Sequence, residues 1–470
     1  MKKKFTLAAL AGVPLIMVLG NSMLIPVLPK MKSTLDITQF QVSLVITLFS
    51  VPAGLAIPFA GFLSDRISRK KIIVPALILY GLGGVVALLG IWLMEKPYYV
   101  IMAGRVLQGI GAAGTAPIAM ALSSDIFTSS DRSKSLGLLE ASNGLGKVIS
   151  PIFGSLIGML AWYATFFVFP VLCVPTAIAV WFLVQDPMTN KKPKSVKNYL
   201  SALKKIFQGK GVHLASAFFG GSIALFVLFG TLFFLSDHLE QKYNLFGVRK
   251  GLVLAIPVLA SSSTSFITGM ITGKKSNKYK FFVVGGLILI GIANSVIPFF
   301  IENIYIFIAA LVVGGVGSGL VLTCLNTIIT GSVSMEERGM ITSLYGAVRF
   351  FGVAIGPPVF GILMEISNLA TFLTPAGLAF LASVGCMLFV KQKFIQSQNQ
   401  STSKEQEQDT MGKKIFDTLT MKNTIGRLVL RPKTAQLKKL KDKEEIIKAE
   451  FAGSQKEEKT SEEFAGQEKE

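Results

Sequence analysis

Apolar runs of about 20 residues, the length of helix that crosses the hydrocarbon core of a bilayer, can be read twelve times in this chain. They begin near Phe5, Thr38, Ile72, Tyr98, Ser135, Trp162, Val212, Gly251, Phe281, Ile304, Met340 and Ala370. Lipid offers no partner to an unpaired backbone N–H or C=O, so each run is predicted to be an α-helix and a sheet reading fails. With 51% hydrophobic and only 16% charged residues, the chain stands outside the range of soluble domains and belongs in a membrane. The first run follows Lys2, Lys3 and Lys4 in the manner of a signal peptide. It is long, however, is interrupted by Pro14 and Pro26, and has eleven more spans behind it, so it is read as a retained span.

The second half of the chain repeats the first at an offset of about 206 to 208 residues. The segment Gly61 to Lys70 aligns with Gly269 to Lys278, and Asp131-Arg132 with Glu337-Arg338. Ser150-Pro151-Ile152-Phe153-Gly154 aligns with Pro357-Pro358-Val359-Phe360-Gly361. Parallel repeats related by an axis along the membrane normal are a transporter plan. The predicted fold is therefore an all-α membrane protein of twelve transmembrane helices, arranged as two six-helix bundles with pseudo-twofold symmetry. The bundles cover 1–185 and 212–391, a central linker covers 186–211, and a charged tail covers 392–470. From Lys393 onward the tail holds 16 Lys/Arg against 14 Asp/Glu with few apolar residues, a composition that predicts disorder. A stretch from Ile415 to Leu430, apolar residues interleaved with Lys422 and Arg427, leaves open a short helix on the inner leaflet.

Orientation follows the lysines and arginines. One side collects Lys2 to Lys4, Arg66, Arg69, Lys70, Lys71, Arg132, Lys134, seven lysines between Lys191 and Lys210, Lys274, Lys275, Lys278, Lys280 and Arg338. The opposite loops hold Lys30, Lys32, Lys96, Lys242, Arg249 and Lys250. The positive-inside rule then places both termini in the cytoplasm. The net charge of +20 is accounted for by topology and anionic lipid rather than by nucleic acid. Cys173, Cys324 and Cys386 fall within apolar runs, so neither a disulfide framework nor a metal pattern is available and they are read as packing residues.

Two soluble-enzyme signatures are set aside. Gly109-Ile110-Gly111-Ala112-Ala113-Gly114 has the GxGxxG spacing of a dinucleotide site, with Asp131 following, but it lies within span 4. Gly314-Gly315-Val316-Gly317-Ser318-Gly319 repeats it in span 10, which points to close helix packing through small residues. Gly146-Lys147 resembles the end of a P-loop, but Ala141 and Val148 break that motif,. No covalent chemistry, metal or cofactor is expected, and the chain is not read as an enzyme.

Charges inside apolar spans are costly and mark functional candidates. They are Arg105 in span 4, Glu140 and Lys147 in span 5, and Arg349 in span 11, with Asn21 the polar side chain of span 1. Glu140 is the one carboxylate well inside a span, where a gradient could load and unload it with a proton. Lys147 lies seven residues on, nearly on the same helix face and about 10.5 Å away along the axis. Both residues are equally open to a second reading, as anchors of interhelical salt bridges.

The motifs resemble those of the major facilitator superfamily. Gly61 to Lys71 resembles its cytoplasmic loop signature, and Arg105-Val106-Leu107-Gln108-Gly109-Ile110-Gly111-Ala112 resembles its helix 4 signature. Gly137, Gly146, Pro151 and Gly154 resemble its antiporter signature in helix 5, with Ser150 and Ser155 replacing two glycines. The resemblance covers about residues 5 to 391 and implies a twelve-span drug/proton antiporter. It implies that Asp65, Arg66, Arg69 and Asp125 form a cytoplasmic gate, that Arg105 takes part in proton transfer, and that the helix 5 glycines and Pro151 seal the outer side against the other half. The expected function is proton-coupled export of an amphipathic drug or metabolite across the cell membrane, by a monomer whose partners are substrate, protons and lipid. Phe226, Phe229, Phe233 and Tyr345 are candidate pocket aromatics. Proton-coupled uptake of a small metabolite or sugar, and a membrane sensor signalling through its tail, are the alternatives.

Overall fold

The computed structural model describes residues 2–64, 66–127, 129–185, 196–272, 278–334 and 337–391. Asp65, the first part of the central linker and the charged tail lie outside the described residues, as do Lys274 and Lys275. All described elements are helical. The first half contains α1 (Lys2–Ser22), a 3-10 turn (Ile25–Val27), α2 (Leu28–Leu35), α3 (Gln39–Ser64), α4 (Arg69–Leu93), α5 (Tyr98–Ala113), α6 (Ala116–Ile126), α7 (Ser129–Gly158) and α8 (Ala164–Leu183). The second contains α9 (Val196–Gln241), α10 (Gly247–Thr272), α11 (Tyr279–Phe300), α12 (Ile304–Gly331), α13 (Arg338–Ile366) and α14 (Asn368–Phe389). Eleven spans are long and apolar enough to cross a membrane. The twelfth is α7, 30 residues long, whose Glu140, Asn143 and Lys147 lower its hydropathy.

Local chemistry accounts for the breaks. Span 1 is interrupted where Pro26 enters the 3-10 turn and a second proline opens α2, each removing a backbone donor. Span 4 breaks after Gly114, and Pro117 sits in the first turn of α6, the position a helix start tolerates. Thr38 and Gln41 open α3 as a capping box: Thr38 Oγ1 accepts from the Gln41 N–H at 3.1 Å and Gln41 Oε1 accepts from the Thr38 N–H at 2.9 Å,. Within the segment read as the linker, residues 196–211 are helical and continuous with the rest of α9. Buried Ile206, with Leu203 and Phe207 packed beside it, gives that segment an apolar face at helical spacing.

Glycines carry the repeat into packing. A side chain at Gly109 would collide with the Phe49 carbonyl of α3, and one at Gly111 would come within 2.6 Å of the Tyr80 nitrogen of α4. In the second half Gly315 meets α10 at Pro257 and Ala260, and Gly317 meets α11 at Gly286 and Ile290. The two GxGxxG segments thus hold equivalent neighbours in equivalent bundles, which is helix packing in lipid. Contacts at the ends repeat too: Thr6 Oγ1 donates to the Leu183 carbonyl at 2.7 Å, and His213, in the equivalent place, accepts the Lys391 N–H at 3.1 Å. These contacts, with Arg69 and Asp125, define the terminal end of the bundle, and Leu35, Gln39, Tyr98 and Glu302 define the far end.

The halves meet along two lines related by the repeat, α3 against α13 and α7 against α10. Along the first line Gln39 Nε2 donates to Met364 Sδ at 3.9 Å, Thr47 Oγ1 donates to the Ala354 carbonyl at 2.6 Å, and Gly61 faces Ser343. Along the second, Gly251 rests on Pro151, Ile152 and Ser155, and Gly247 on Met159, all toward the far end.

Candidate functional site

Arg105 is fully buried in the first half. Its Nε donates to the Val45 carbonyl of α3 at 2.8 Å, and one terminal nitrogen donates to the Gly20 carbonyl of α1 at 3.1 Å and to Gln108 Oε1 at 2.6 Å. The guanidinium lies 4.5 Å from the centre of the Phe49 ring, a contact that contributes about 2 kcal/mol when desolvated. Among the described residues no acid forms an ion pair with it, so carbonyl dipoles and a ring face offset the burial of its charge. Among the described residues the second terminal nitrogen, Gln108 Nε2 and Asn21 Oδ1 have no partner, while Asn21 Nδ2 reaches Ser50 Oγ at 3.4 Å. Arg105 is thus a tie joining α1, α3 and α5 with unused hydrogen-bonding capacity beside it.

Glu140, Lys147 and Pro151 share one face of α7, and Pro151 directs that face toward α10 of the other half. Glu140 is exposed and Lys147 half-buried. Glu140 and, from α13, Arg349 both lie close enough to act on the charge of Lys147. Arg349 sits with its guanidinium 5.4 Å from the Tyr345 ring centre, and its Nε has no hydrogen-bond partner among the described residues. Tyr345 is buried, stacked on Phe218 at 5.6 Å, with its hydroxyl also without a hydrogen-bond partner among the described residues. Two cations and one carboxylate therefore face the junction between the halves. Phe226 and Phe233 are not beside them as open walls: both are buried, and Phe226 packs edge-on against Phe360 at 6.0 Å. Phe229 is half-buried against the same core.

Of the four residues grouped as a gate, Arg69 and Asp125 meet as an ion pair of 3.1 Å between the start of α4 and the end of α6. Arg66 instead places its guanidinium 4.1 Å over the Phe62 ring. The helix 5 glycines act differently from the expectation that they pack on the other half. Gly146 meets Leu15, and Gly154 meets Met23, both in the same half, while nothing lies within 4 Å of a side chain placed at Gly137. The inter-half contact is made by Pro151, and the small residue that permits it is Gly251 on α10.

Sequence reasoning missed a polar junction at the far end. Lys250 is 2% exposed and its Nζ donates to Glu240 Oε2 at 2.7 Å and, across the halves, to the Pro26 carbonyl at 2.8 Å. Ser236 Oγ donates to the neighbouring Ile25 carbonyl at 2.8 Å. The only available signal was a proline-broken span 1 paired with acids at the end of span 7. Among the described residues no group of His, Cys, Asp and Glu is gathered to hold a metal.

Comparison with known proteins agrees with this architecture. The family model of the Major Facilitator Superfamily matches residues 10–283 and 249–443. The bacillibactin exporter of Bacillus subtilis (strain 168) is 45% identical over 370 residues, 78% of this chain and 92% of that protein. A multidrug efflux protein of the same organism, YfmO, is 26% identical over 81% of this chain and 91% of its own length. A solved structure of a bacterial homolog of the human lysosomal transporter Spinster, inward-facing and occupied, superposes with a TM-score of 0.65 at 16% identity, covering 84% of this chain and 97% of the other. That likeness concerns the fold. The chain belongs to the Major Facilitator Superfamily, in its drug and metabolite exporter branch, and is a multi-pass membrane transporter rather than an enzyme.

Proposed function

We propose that this chain is a proton-coupled exporter of the cell membrane, acting as a monomer with both termini cytoplasmic, that carries a small amphipathic compound outward by opening its two ends in turn. The terminal end, rich in Lys and Arg, is then the cytoplasmic one, and the far end is the outer one. The observation that supports the reading is that charged groups of both halves, Glu140 of α7 and Arg349 of α13, lie within electrostatic reach of Lys147, on the face of α7 whose Pro151 meets α10. Ionised groups at that depth are tolerated where water or a partner reaches them. Glu140 is the group that takes up and releases the proton, and Lys147 and Arg349 are the groups that meet a polar or acidic part of the substrate. Similarity to the bacillibactin exporter makes bacillibactin the first compound to test.

The test uses inverted vesicles with an acid lumen and a pH-sensitive dye inside. Adding bacillibactin is expected to raise the lumen pH as protons leave in exchange. Glu140→Gln is expected to remove that proton signal while protein level in the membrane is unchanged. Acidification on addition would instead mark a symporter. No response to bacillibactin or to a panel of cationic, zwitterionic and anionic compounds would overturn antiport.

A further inference from the structure

The outer junction contains one more group with no role in the export reading. Asp237 lies one residue beyond Ser236 on α9 and is 6% exposed, and its buried Oδ1 has no hydrogen-bond partner among the described residues. Four groups act on it: Lys32 from α2, Lys250 from α10, and Glu240 and Gln241 from its own helix. The adjacent His238 is turned into an aromatic cluster, stacked on Phe234 at 5.3 Å and edge-on to Phe307 at 5.5 Å. Lys242 is engaged by Glu302. The junction thus sets two carboxylates of the second half, Asp237 and Glu240, against two lysines, of which Lys32 belongs to the first half.

The balance of charge is what makes this arrangement conditional. With both acids ionised, two anions face two cations. In a low-dielectric site such opposed charges hold together, and removing one partner leaves an uncompensated charge that is strongly destabilising. Glu240 is held by its ion pair with Lys250, whereas Asp237 forms no ion pair and its Oδ1 has no hydrogen-bond partner among the described residues, so a proton there displaces no donor. Its protonation takes from Lys32 the one opposing charge and leaves Lys250 with Glu240 alone. The same lysine that would then be undercompensated is the one bonded to the Pro26 carbonyl across the halves.

We propose that Asp237 is a proton-accepting positioning residue of the outer seal: ionised, it holds Lys32 and Lys250 in the junction, and a proton arriving from outside releases them and opens the outer end. The proposal rests on the alternating-access reading and on the far end being outer. It gives the exchange cycle a proton-binding step on the side from which protons come, spatially separate from Glu140.

The full chain in lipid nanodiscs, without substrate, provides the test. Spin labels at Lys30→Cys and Phe246→Cys, both exposed at the outer end, report its opening by pulsed distance measurement. Between about pH 8 and about pH 5, a range that brackets perturbed carboxylates, the long-distance population of the wild type is expected to grow at least about fivefold. Asp237→Asn is expected to show the long population at both pH values with no pH response, and Asp237→Glu to restore the response. Glu240→Gln should weaken closure yet keep a pH response. A pH response that survives in Asp237→Asn, or a closed outer end in that variant at both pH values, overturns the proposal. Because no compound is added, a negative result here leaves the export test standing, and a failed export test leaves this one readable.

Discussion

Gly251 is where the two halves come closest on the α7–α10 line, and a single methyl there is a directed wedge. A Cβ at this position would lie 2.7 Å from the Pro151 carbonyl oxygen, 2.8 Å from Ile152 Cα and 2.8 Å from Ser155 Oγ. Non-bonded carbons are comfortable at about 3.5–4.0 Å, so Gly251→Ala requires the helices to part by about 1 Å. Two of the three obstacles are backbone, and no rotamer change relieves them. Overpacking of this kind costs about 1–3 kcal/mol. On the proposed alternating-access reading the strain exists only while the far end is closed, so it is expected to shift the conformational equilibrium toward the form open at that end by about 5- to 150-fold instead of unfolding the bundle. Ser236→Cys, buried in the same junction at 1% exposure, reports the opening through its alkylation by a membrane-impermeant maleimide. The three native cysteines are fully buried and give little background. The alkylation rate is expected to rise at least about fivefold in Gly251→Ala. An unchanged rate in correctly inserted protein would refute the assignment of this contact to the outer seal.

Two further predictions test the internal architecture. Arg69 and Asp125 are each slightly less than one-fifth exposed, between the surface and buried regimes, so Arg69→Gln or Asp125→Asn should cost about 1–3 kcal/mol. A double-mutant cycle on thermal stability should show coupling, and strict additivity would mean the pair is an incidental contact. Gly111→Val and Gly317→Val should each lower stability by about 1–3 kcal/mol through overpacking against α4 and α11. Similar losses in both would confirm their equivalence, while a loss in one alone would contradict it.

The fold was legible because lipid leaves the backbone so few options: the twelve apolar runs became twelve helical spans, with starts shifted by a few residues except in α9, whose helix begins 16 residues before Val212. Gly109 and Gly315 were read correctly as packing sites because a repeated motif inside a span has one physical explanation in both places. Gly146 and Gly154 were harder, since spacing along α7 does not say which neighbour each face meets, and both turned out to face span 1, Gly146 at Leu15 of α1 and Gly154 at Met23 just after it. Lys147 and Arg349 stood out because charge is rare in apolar sequence. Lys32, Asp237, Glu240 and Lys250 did not, because at helix ends they look like ordinary loop charges. Their burial arises only when the broken span 1 folds over α9 and α10, a long-range event that a linear pattern does not encode. The enclosure of Arg105 by carbonyls, without an acid, was equally invisible.

The two inter-half lines are symmetry mates, yet they are not equivalent here. Close approaches between α3 and α13 extend from Gln39 and Met364 to Gly61 and Ser343. On α7, a Cβ at the positions toward the terminal end, Gly137 and Gly144, would meet no atom of another described element within 4 Å. The α3–α13 line then behaves as the hinge side, and opening of the outer end must separate Gln39 from Met364 while leaving Gly61 beside Ser343. A Cβ at Gly61 would stand 3.7 Å from Ser343 Cβ, within the span a disulfide bridges. Oxidised Gly61→Cys/Ser343→Cys is therefore expected to retain most of its export activity. Gln39→Cys/Met364→Cys joined by a short bifunctional maleimide is expected to lose it, since the outer end can no longer part. Loss of export in the first pair, with recovery on reduction, would show that the α3–α13 line must itself separate at the terminal end and would refute the hinge.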